Sequence, residues 1–324
     1  MLEVKDIKNP ILNELNMFEE KFKSSLKTNV PLLDKIMHYI IRRKGKQMRP
    51  MFVFLSCKIF SKTKEATYTA ASLIELLHTA TLVHDDVIDE ANFRRGVFSI
   101  NALWKNKISV LVGDFLLSRG LLLAVEKEEF NLLKIVSAAV KEMSEGELLQ
   151  IEKTRKLNIT EDIYFDIIRK KTASLISACC ESGAASSNTS RENIEIMKSF
   201  GEKVGIAFQI KDDLFDYTKS PLIGKPTGID IREKKMTLPL IFTLNNVKKE
   251  DRNFIINTIK NDSKNKIKVE KIIELVKQNN GLKFAENKMN HYFNESIKLL
   301  EKFDDNEAKK SLIKLAEYVV KRKR

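Results

Sequence analysis

The sequence predicts an all-α protein. Two observations carry that reading: apolar residues recur with helical spacing along almost the whole chain, and only six prolines and eleven glycines interrupt 324 residues. Such a chain has room mainly for long helices and short connectors. In order, helices are expected near 8–26, 31–44, 50–61, 64–90, 99–105, 107–126 and 129–153, then near 160–185, 190–219, 237–246, 250–260, 266–278, 281–302 and 305–322. Pro31 and Pro50 suit first-turn positions, where the missing N–H costs nothing. Thr160 ahead of Glu161 and Asp162, and Ser190 ahead of Glu192, give N-caps with acidic first turns. The longest irregular stretch, Ser220 to Pro239, holds three of the six prolines and two of the eleven glycines and reads as a lid over a site.

Bulk properties narrow the classes. The chain is 43% apolar, and Lys+Arg exceeds Asp+Glu by 57 − 44 = 13. Length would permit two domains, but there is no Pro/Gly/Ser-rich linker and no composition break, so one domain over 1–324 is expected. Most of the positive excess is Lys scattered along polar helix faces, with no nucleic-acid module, so nucleic acid is not the expected partner. A basic exterior still draws in polyanionic diphosphates and, weakly, an anionic membrane surface. Only Cys57, Cys179 and Cys180 occur, which suits a reducing, cytoplasmic compartment. The first residues lack a basic region followed by an apolar core, so no signal peptide is expected. Ile108 to Val125 carries Asp114, Ser118 and Arg119 and is read as a buried helix, not a membrane span.

The motifs say more. Asp-Asp-x-x-Asp occurs twice, at Asp85, Asp86, Asp89 and at Asp212, Asp213, Asp216, each time inside an apolar helical run. At average usage one copy arises at about one position in ten thousand, so a pair is not accidental. Residues three and four apart share a helix face, so each motif is expected to present three carboxylates together, near the negative end of its helix dipole. Such a face resists desolvation unless a counter-charge arrives. Magnesium suits it, because that ion takes a few carboxylates, retained waters and substrate phosphate oxygens in preference to a full protein cage. A phosphorylated substrate follows. If the two helices face each other, six carboxylates line one cavity.

The residues around the motifs resemble a family, the trans-prenyltransferases or all-trans polyprenyl diphosphate synthases, across nearly the whole chain. The resemblance runs from Gly45-Lys46-Gln47-Met48-Arg49-Pro50 through Glu75-Leu76-Leu77-His78-Thr79-Ala80, Arg94-Arg95-Gly96, Val112-Gly113-Asp114, Gly146-Glu147-Leu148-Leu149-Gln150, Lys171-Thr172-Ala173, Phe208-Gln209, Gly224-Lys225 and Gly228-Ile229-Asp230 to Leu238-Pro239. It implies a single bundle of mostly antiparallel helices around a central cavity, like that of isoprenoid synthases. It also implies an enzyme that joins isopentenyl diphosphate to an allylic diphosphate by ionisation, condensation and proton loss, using about three magnesium ions.

By the same resemblance Asp85, Asp89 and Asp212 ligate metal directly, while Asp86, Asp213 and Asp216 orient bound waters or complete the shell. Arg94, Lys171, Lys225 and Lys235 clamp the allylic diphosphate, and Thr172 and Gln209 flank the reacting carbon. Lys46, Arg49, His78 and Arg95 form the isopentenyl diphosphate pocket. A homodimer is implied, with the helix around Val110 to Val125 as its interface, and a greasy product implies peripheral membrane contact without an anchor. Two departures stand out: Lys234, where relatives usually have glycine, and Gln47, where a basic residue is common.

Blander readings exist for single residues. Arg94, Arg95, Lys46 and Lys225 suit a solvated surface, and His78 suits a hydrogen-bonded core position; their joint order favours the site. For product length, one helical turn of ~5.4 Å approximates one isoprene unit, so Ala80 and Thr81, one turn before the first motif, gate short products. Both are small, which points to a long chain of roughly six to eight units, C30 to C40, by that ruler. Leu77, Ile74, Val136 or Met143 are candidates for the floor. The alternatives are a short-chain geranylgeranyl or farnesyl synthase, a terpene cyclase, which normally has one Asp-rich motif, and a non-catalytic subunit regulating a true synthase.

Overall fold

The computed structural model describes residues 4–42, 45–94, 96–218 and 227–321. Its elements are helices α1 (Val4–Lys8), α2 (Leu12–Ser25), α3 (Pro31–Arg42), α4 (Met48–Lys58) and α5 (Glu65–Ile88), then a hairpin of β1 (Phe93–Arg94) and β2 (Val97–Phe98). Helices α6 (Ile100–Glu126), α7 (Phe130–Lys156), α8 (Glu161–Ile168), α9 (Ser174–Ser186) and α10 (Arg191–Phe215) follow. After them come α11 (Ile229–Arg232), α12 (Leu238–Asn246), α13 (Lys249–Asn261), α14 (Lys266–Gln278), α15 (Gly281–Leu300) and α16 (Glu307–Lys321). The all-α class is as expected. The described residues of Met1–Val140, Ala178–Lys198 and Phe303–Leu315 form one compact unit, and those of Lys141–Ser177, Ser199–Lys302 and Ala316–Arg324 form another.

In the first unit α4 is buried all round from Pro50 to Cys57, as a helix apolar on every face must be. It packs against α5, whose other face lies along α6. Gly120 permits that approach, since a Cβ there would meet Leu77 Cδ2 at 3.2 Å. Ser99 caps α6 by accepting from Ala102 N at 2.9 Å. Lys105 sits at φ 68°, breaking the helix where the sequence places a boundary between 105 and 107. Leu76, Ala80, Val83, Ile100, Val112 and Leu116 share one core cluster.

One expectation for α6 needs correction. The helix is long and apolar enough to cross a membrane by length and composition, yet only 33% of its most apolar window is buried. Its inner face covers α5, while Val110, Leu111, Leu121, Leu122 and Val125 are 40% or more exposed. Apolar periodicity reports which residues avoid water, not what covers them, so the sequence cannot separate this face from core.

In the second unit α12 is the buried centre and packs on α15. Gly281 lets the two approach, since a Cβ would meet Pro239 O at 2.6 Å, and Phe242 stacks on Phe284 with centroids 4.2 Å apart. Thr160 caps α8, accepting from Ile163 N at 3.3 Å. Between α8 and α9 the backbone makes a π turn over Arg169–Ala173, where one continuous helix is expected over 160–185. Such turns are rare and occur frequently at functional sites.

Candidate active site

In the first unit the acidic motif closes α5. Asp85 lies in the last turn and Asp89 is the C-cap, so the dipole there is negative, as anticipated. The expectation of three carboxylates on one face does not hold. Asp86 is 4% exposed and turns inward to Arg94, whose Nη2 and Nε reach its Oδ1 at 2.6 and 2.8 Å. Asp85 is half-buried and Asp89 exposed. The hairpin after the motif carries this arginine: Phe93 and Phe98 are cross-strand partners with stacked rings, and Arg94 pairs with Val97.

Arg49 and His78 are in direct contact, and Glu75 Oε2 lies 3.5 Å from Arg49 Nη1. Lys46 is exposed. Gln47 sits at φ 57° ahead of α4 and donates to Glu19 Oε1 at 3.0 Å. Its side chain thus tethers this turn to α2. Glu75, His78, Arg94, Phe18, Phe22 and Leu82 are among the walls of an apolar cavity with a charged mouth. Of the chain-length candidates, Ala80 and Leu77 are 2% and 1% exposed, Ala80 in the cluster shared with α6 and Leu77 beside Gly120. Thr81 is half-buried, its hydroxyl donating to His78 O at 2.8 Å. On α5 the cavity is lined by Glu75, His78, Thr79, Leu82, Val83 and Asp86, not by those three.

In the second unit the acidic motif lies at the end of α10. Asp213 is buried and accepts from Tyr164 Oη at 2.7 Å and from Gln209 Nε2 at 2.9 Å. Asp216 is also buried and accepts from Ile229 N and Asp230 N at 2.9 and 3.1 Å, fastening the first turn of α11. Asp212 is half-buried. Here too the middle residue turns inward, because a buried carboxylate needs donors wherever it finds them. Burial, then the charge of Asp230, push the Asp213 carboxyl up to about 7. Burial, then Asp216, push Asp230 up to about 6. Burial and the Asp213 charge raise the Tyr164 phenol well above its usual range.

Thr172 Oγ1 donates to Gln209 Oε1 at 2.7 Å. Lys171 Nζ donates to Gln150 Oε1 at 2.7 Å and pairs with Glu147, and Lys235 pairs with Glu233 at 2.6 Å. Lys171, Thr172, Gln209, Asp213, Asp230 and Lys235 line one cavity, with Ile159, Ile167 and Ile168 as apolar wall. The π turn carrying Lys171 and Thr172 is in close contact with two glycines. A Cβ on Gly146 would lie 2.8 Å from Lys171 N, and one on Gly205 would lie 2.5 Å from Ala173 Cα. Lys234 sits at φ 61°, a left-handed conformation that glycine adopts without strain. Lys225 and Arg95 lie outside the described residues, as does Ser220–Pro226 of the expected lid.

Among the described residues no three or more His, Cys, Asp or Glu gather into a ready-made metal cage. The donor chemistry nonetheless fits a hard cation shared with a phosphorylated ligand: the motifs offer oxygen alone, and the acids of the second unit are crowded enough to raise one another's pKa values. Sequence reasoning missed Tyr164, which looks like an ordinary core aromatic. It also missed Asp230 and Glu147 as site residues, although both lie within quoted motifs.

A cavity lined by two lysines, a threonine, a glutamine and two aspartates suits a diphosphate-handling enzyme, and the chain belongs to the family described as Polyprenyl synthetase, matched over residues 30–276. It is a prenyltransferase with trans-prenyl diphosphate synthase activity. It is 34% identical over 319 residues to an all-trans-nonaprenyl-diphosphate synthase (geranyl-diphosphate specific) of Rhodobacter capsulatus, covering 98% of this chain and 97% of that one. It is 30% identical over 326 residues to a geranylgeranyl diphosphate synthase of Sulfolobus acidocaldarius, covering 98% of each. Among solved structures, a decaprenyl diphosphate synthase from Rhodobacter capsulatus superposes with a TM-score of 0.93 at 32% identity, covering 99% of this chain and 100% of that one. A polyprenyl synthase from Caulobacter crescentus complexed with calcium and isoprenyl diphosphate superposes with a TM-score of 0.90 at 28% identity, covering 99% and 98%.

Proposed function

We propose that this enzyme extends an allylic diphosphate with isopentenyl diphosphate to a product of about six to eight isoprene units, using magnesium. The observation that carries the chemistry is the cavity where Lys171, Thr172, Gln209, Asp213 and Lys235 converge on an isoleucine wall. Cations there hold an anionic leaving group, and apolar walls keep water from a carbocation. Asp85, Asp89 and Asp212, the less buried acids, would hold the metal directly, with Asp86, Asp213 and Asp216 already bound to Arg94, Tyr164, Gln209 and backbone N–H groups. The calcium and isoprenyl diphosphate bound by the Caulobacter crescentus relative support a divalent cation and a diphosphate as ligands here. When bound, the metal neutralises diphosphate charge as it grows on the leaving oxygen.

The chain's own residues do the rest. Lys171 and Lys235 each sit on a carboxylate partner, so taking up diphosphate exchanges one anion for another with the lysine already in place. The allylic carbon–oxygen bond breaks, its electrons leaving with the pyrophosphate, and the isopentenyl double bond attacks the resulting cation. The released pyrophosphate takes a proton from the adduct, restoring an allylic diphosphate. Arg49 and His78, with Lys46 and Arg95, hold isopentenyl diphosphate; guanidinium suits the bidentate grip on phosphate oxygens. The nonaprenyl and decaprenyl relatives support a long product. The exposed apolar stripe of α6 supports a homodimer, and a greasy product supports peripheral contact of a cytoplasmic enzyme with the bilayer.

Purified protein incubated with farnesyl and isopentenyl diphosphates and magnesium tests this. Products of C30 to C40 are expected. Products of C20 or shorter would replace the long-chain reading with a short-chain one, and no condensation at all would favour a regulatory subunit.

A further inference from the structure

We propose that Tyr164 is a positioning residue that sets the direction of a hydrogen-bond chain ending at Thr172. The inference rests on the proposed reaction and adds to it. Four side chains from α8, the π turn and α10 are linked in series. Tyr164 Oη donates to Asp213 Oδ2 at 2.7 Å, Gln209 Nε2 donates to Asp213 Oδ1 at 2.9 Å, and Thr172 Oγ1 donates to Gln209 Oε1 at 2.7 Å. All four line the same cavity.

The direction follows from what each group can do. A phenol has one proton, and Tyr164 is 3% exposed with that proton directed at Asp213. In its ionised form Asp213 is therefore an acceptor at Oδ2, and its other oxygen is left for the amide. An amide facing a carboxylate oxygen must present its NH₂, so the carbonyl of Gln209 is turned to Thr172. The threonine hydroxyl has one proton too, and it is taken by that carbonyl. What remains on Thr172 Oγ1 is lone-pair density with no proton to offer the cavity. An oxygen so arranged is matched to a carbon becoming positive, and it is fixed before the charge forms. If the amide of Gln209 were reversed, Thr172 would accept from it and aim its own O–H into the cavity, with the wrong end of the dipole toward a cation. Tyr164 touches no reacting atom in this scheme; it acts through three other residues.

The test is a double-mutant cycle of Y164F and T172V in the full-length enzyme, with magnesium, isopentenyl diphosphate and an allylic diphosphate. Wild type is assayed first, and its failure to turn over would defeat the proposed function, leaving nothing for the cycle to read. With wild type active, Y164F is expected to lower kcat by roughly tenfold or more, the scale of losing a hydrogen bond to a buried charge, with KM for both substrates within twofold. Added to T172V, Y164F should have almost no further effect, because the end of the chain is already gone. A fluorinated allylic diphosphate, which ionises more slowly, should show a steeper rate loss in Y164F than in wild type. Independently of turnover, the side-chain amide resonances of Gln209 should shift in Y164F. Wild-type kcat in Y164F, or effects of Y164F and T172V that multiply, would overturn the role of Tyr164. An effect traced wholly to a lowered Tm would overturn it as well.

Discussion

Gly205→Ala tests how closely the π turn must be held. A Cβ at 205 would lie 2.5 Å from Ala173 Cα and 2.8 Å from its Cβ. Ordinary contact begins near 3.4 Å, so the turn must move by 3.4 − 2.5 = 0.9 Å relative to α10. Thr172 precedes Ala173, and its 2.7 Å hydrogen bond goes to Gln209, one turn along the same helix as Gly205. A shift of that size along the bond stretches it to ~3.6 Å, which is no longer a hydrogen bond. Overpacking of this kind costs ~1–3 kcal/mol of stability, and displacing a catalytic group by ~1 Å costs on the order of a hundredfold in rate. Gly201→Ala is the control, because its Cβ would press on Ile176 O and Ser177 Cα at 2.7 Å without touching the turn. Both variants should lose Tm by similar amounts, and only G205A should lose kcat by ~30-fold or more. Incorporation of labelled isopentenyl diphosphate and thermal unfolding measure the two quantities. Equal kcat in G205A and G201A would refute the reasoning.

Three more outcomes are expected. Asp213 and Asp230 have folded pKa values raised to about 7 and about 6 from the usual 3.8. The unfolded chain therefore gives up these protons at lower pH than the folded one, and metal-free protein should lose stability as pH rises from about 4 to about 7. A Tm that is flat across that window, or that falls as steeply in D213N, would contradict this; magnesium should restore stability at the upper end if these acids gain a cation. Lys234→Gly should relieve left-handed strain and raise stability by up to about 1 kcal/mol, read from denaturant unfolding; a loss would mean that the Lys234 Nζ bond to Lys260 O at 2.9 Å outweighs the backbone cost. Ala80→Phe should shorten the product and, because Ala80 is packed against Val112 and Leu116, lower stability by ~1–3 kcal/mol. A stable variant with an unchanged product would remove Ala80 from the length ruler and turn attention to Thr79 and Leu82, which line the cavity.

Local chemistry was legible in the sequence, and partner geometry was not. The acidic motifs lie at their helix ends as expected, and the break at Lys105 falls where two helices were expected to meet. Lys234 was marked as unusual, and its φ is 61°. The hairpin over Phe93–Phe98 has two-residue strands, too short for any period. The inward rotation of Asp86 and Asp213 depends on Arg94 and Tyr164, eight and forty-nine residues away. Spacing along a helix places a Cβ, and the donors that surround it decide where its carboxylate points. The outer stripe of α6 shows the same limit, because Leu111 and Leu122 have a core pattern without a core around them.

Under the proposed function each acidic motif would serve a metal-borne diphosphate. Calorimetric titration of an uncleavable allylic diphosphate analogue into wild type, D85N and D212N, with and without magnesium, tests that most directly. Binding should require magnesium and fall at least tenfold in each variant, the scale of losing a metal ligand or its orienting partner. Tight binding without magnesium, or wild-type affinity in either variant, would contradict it.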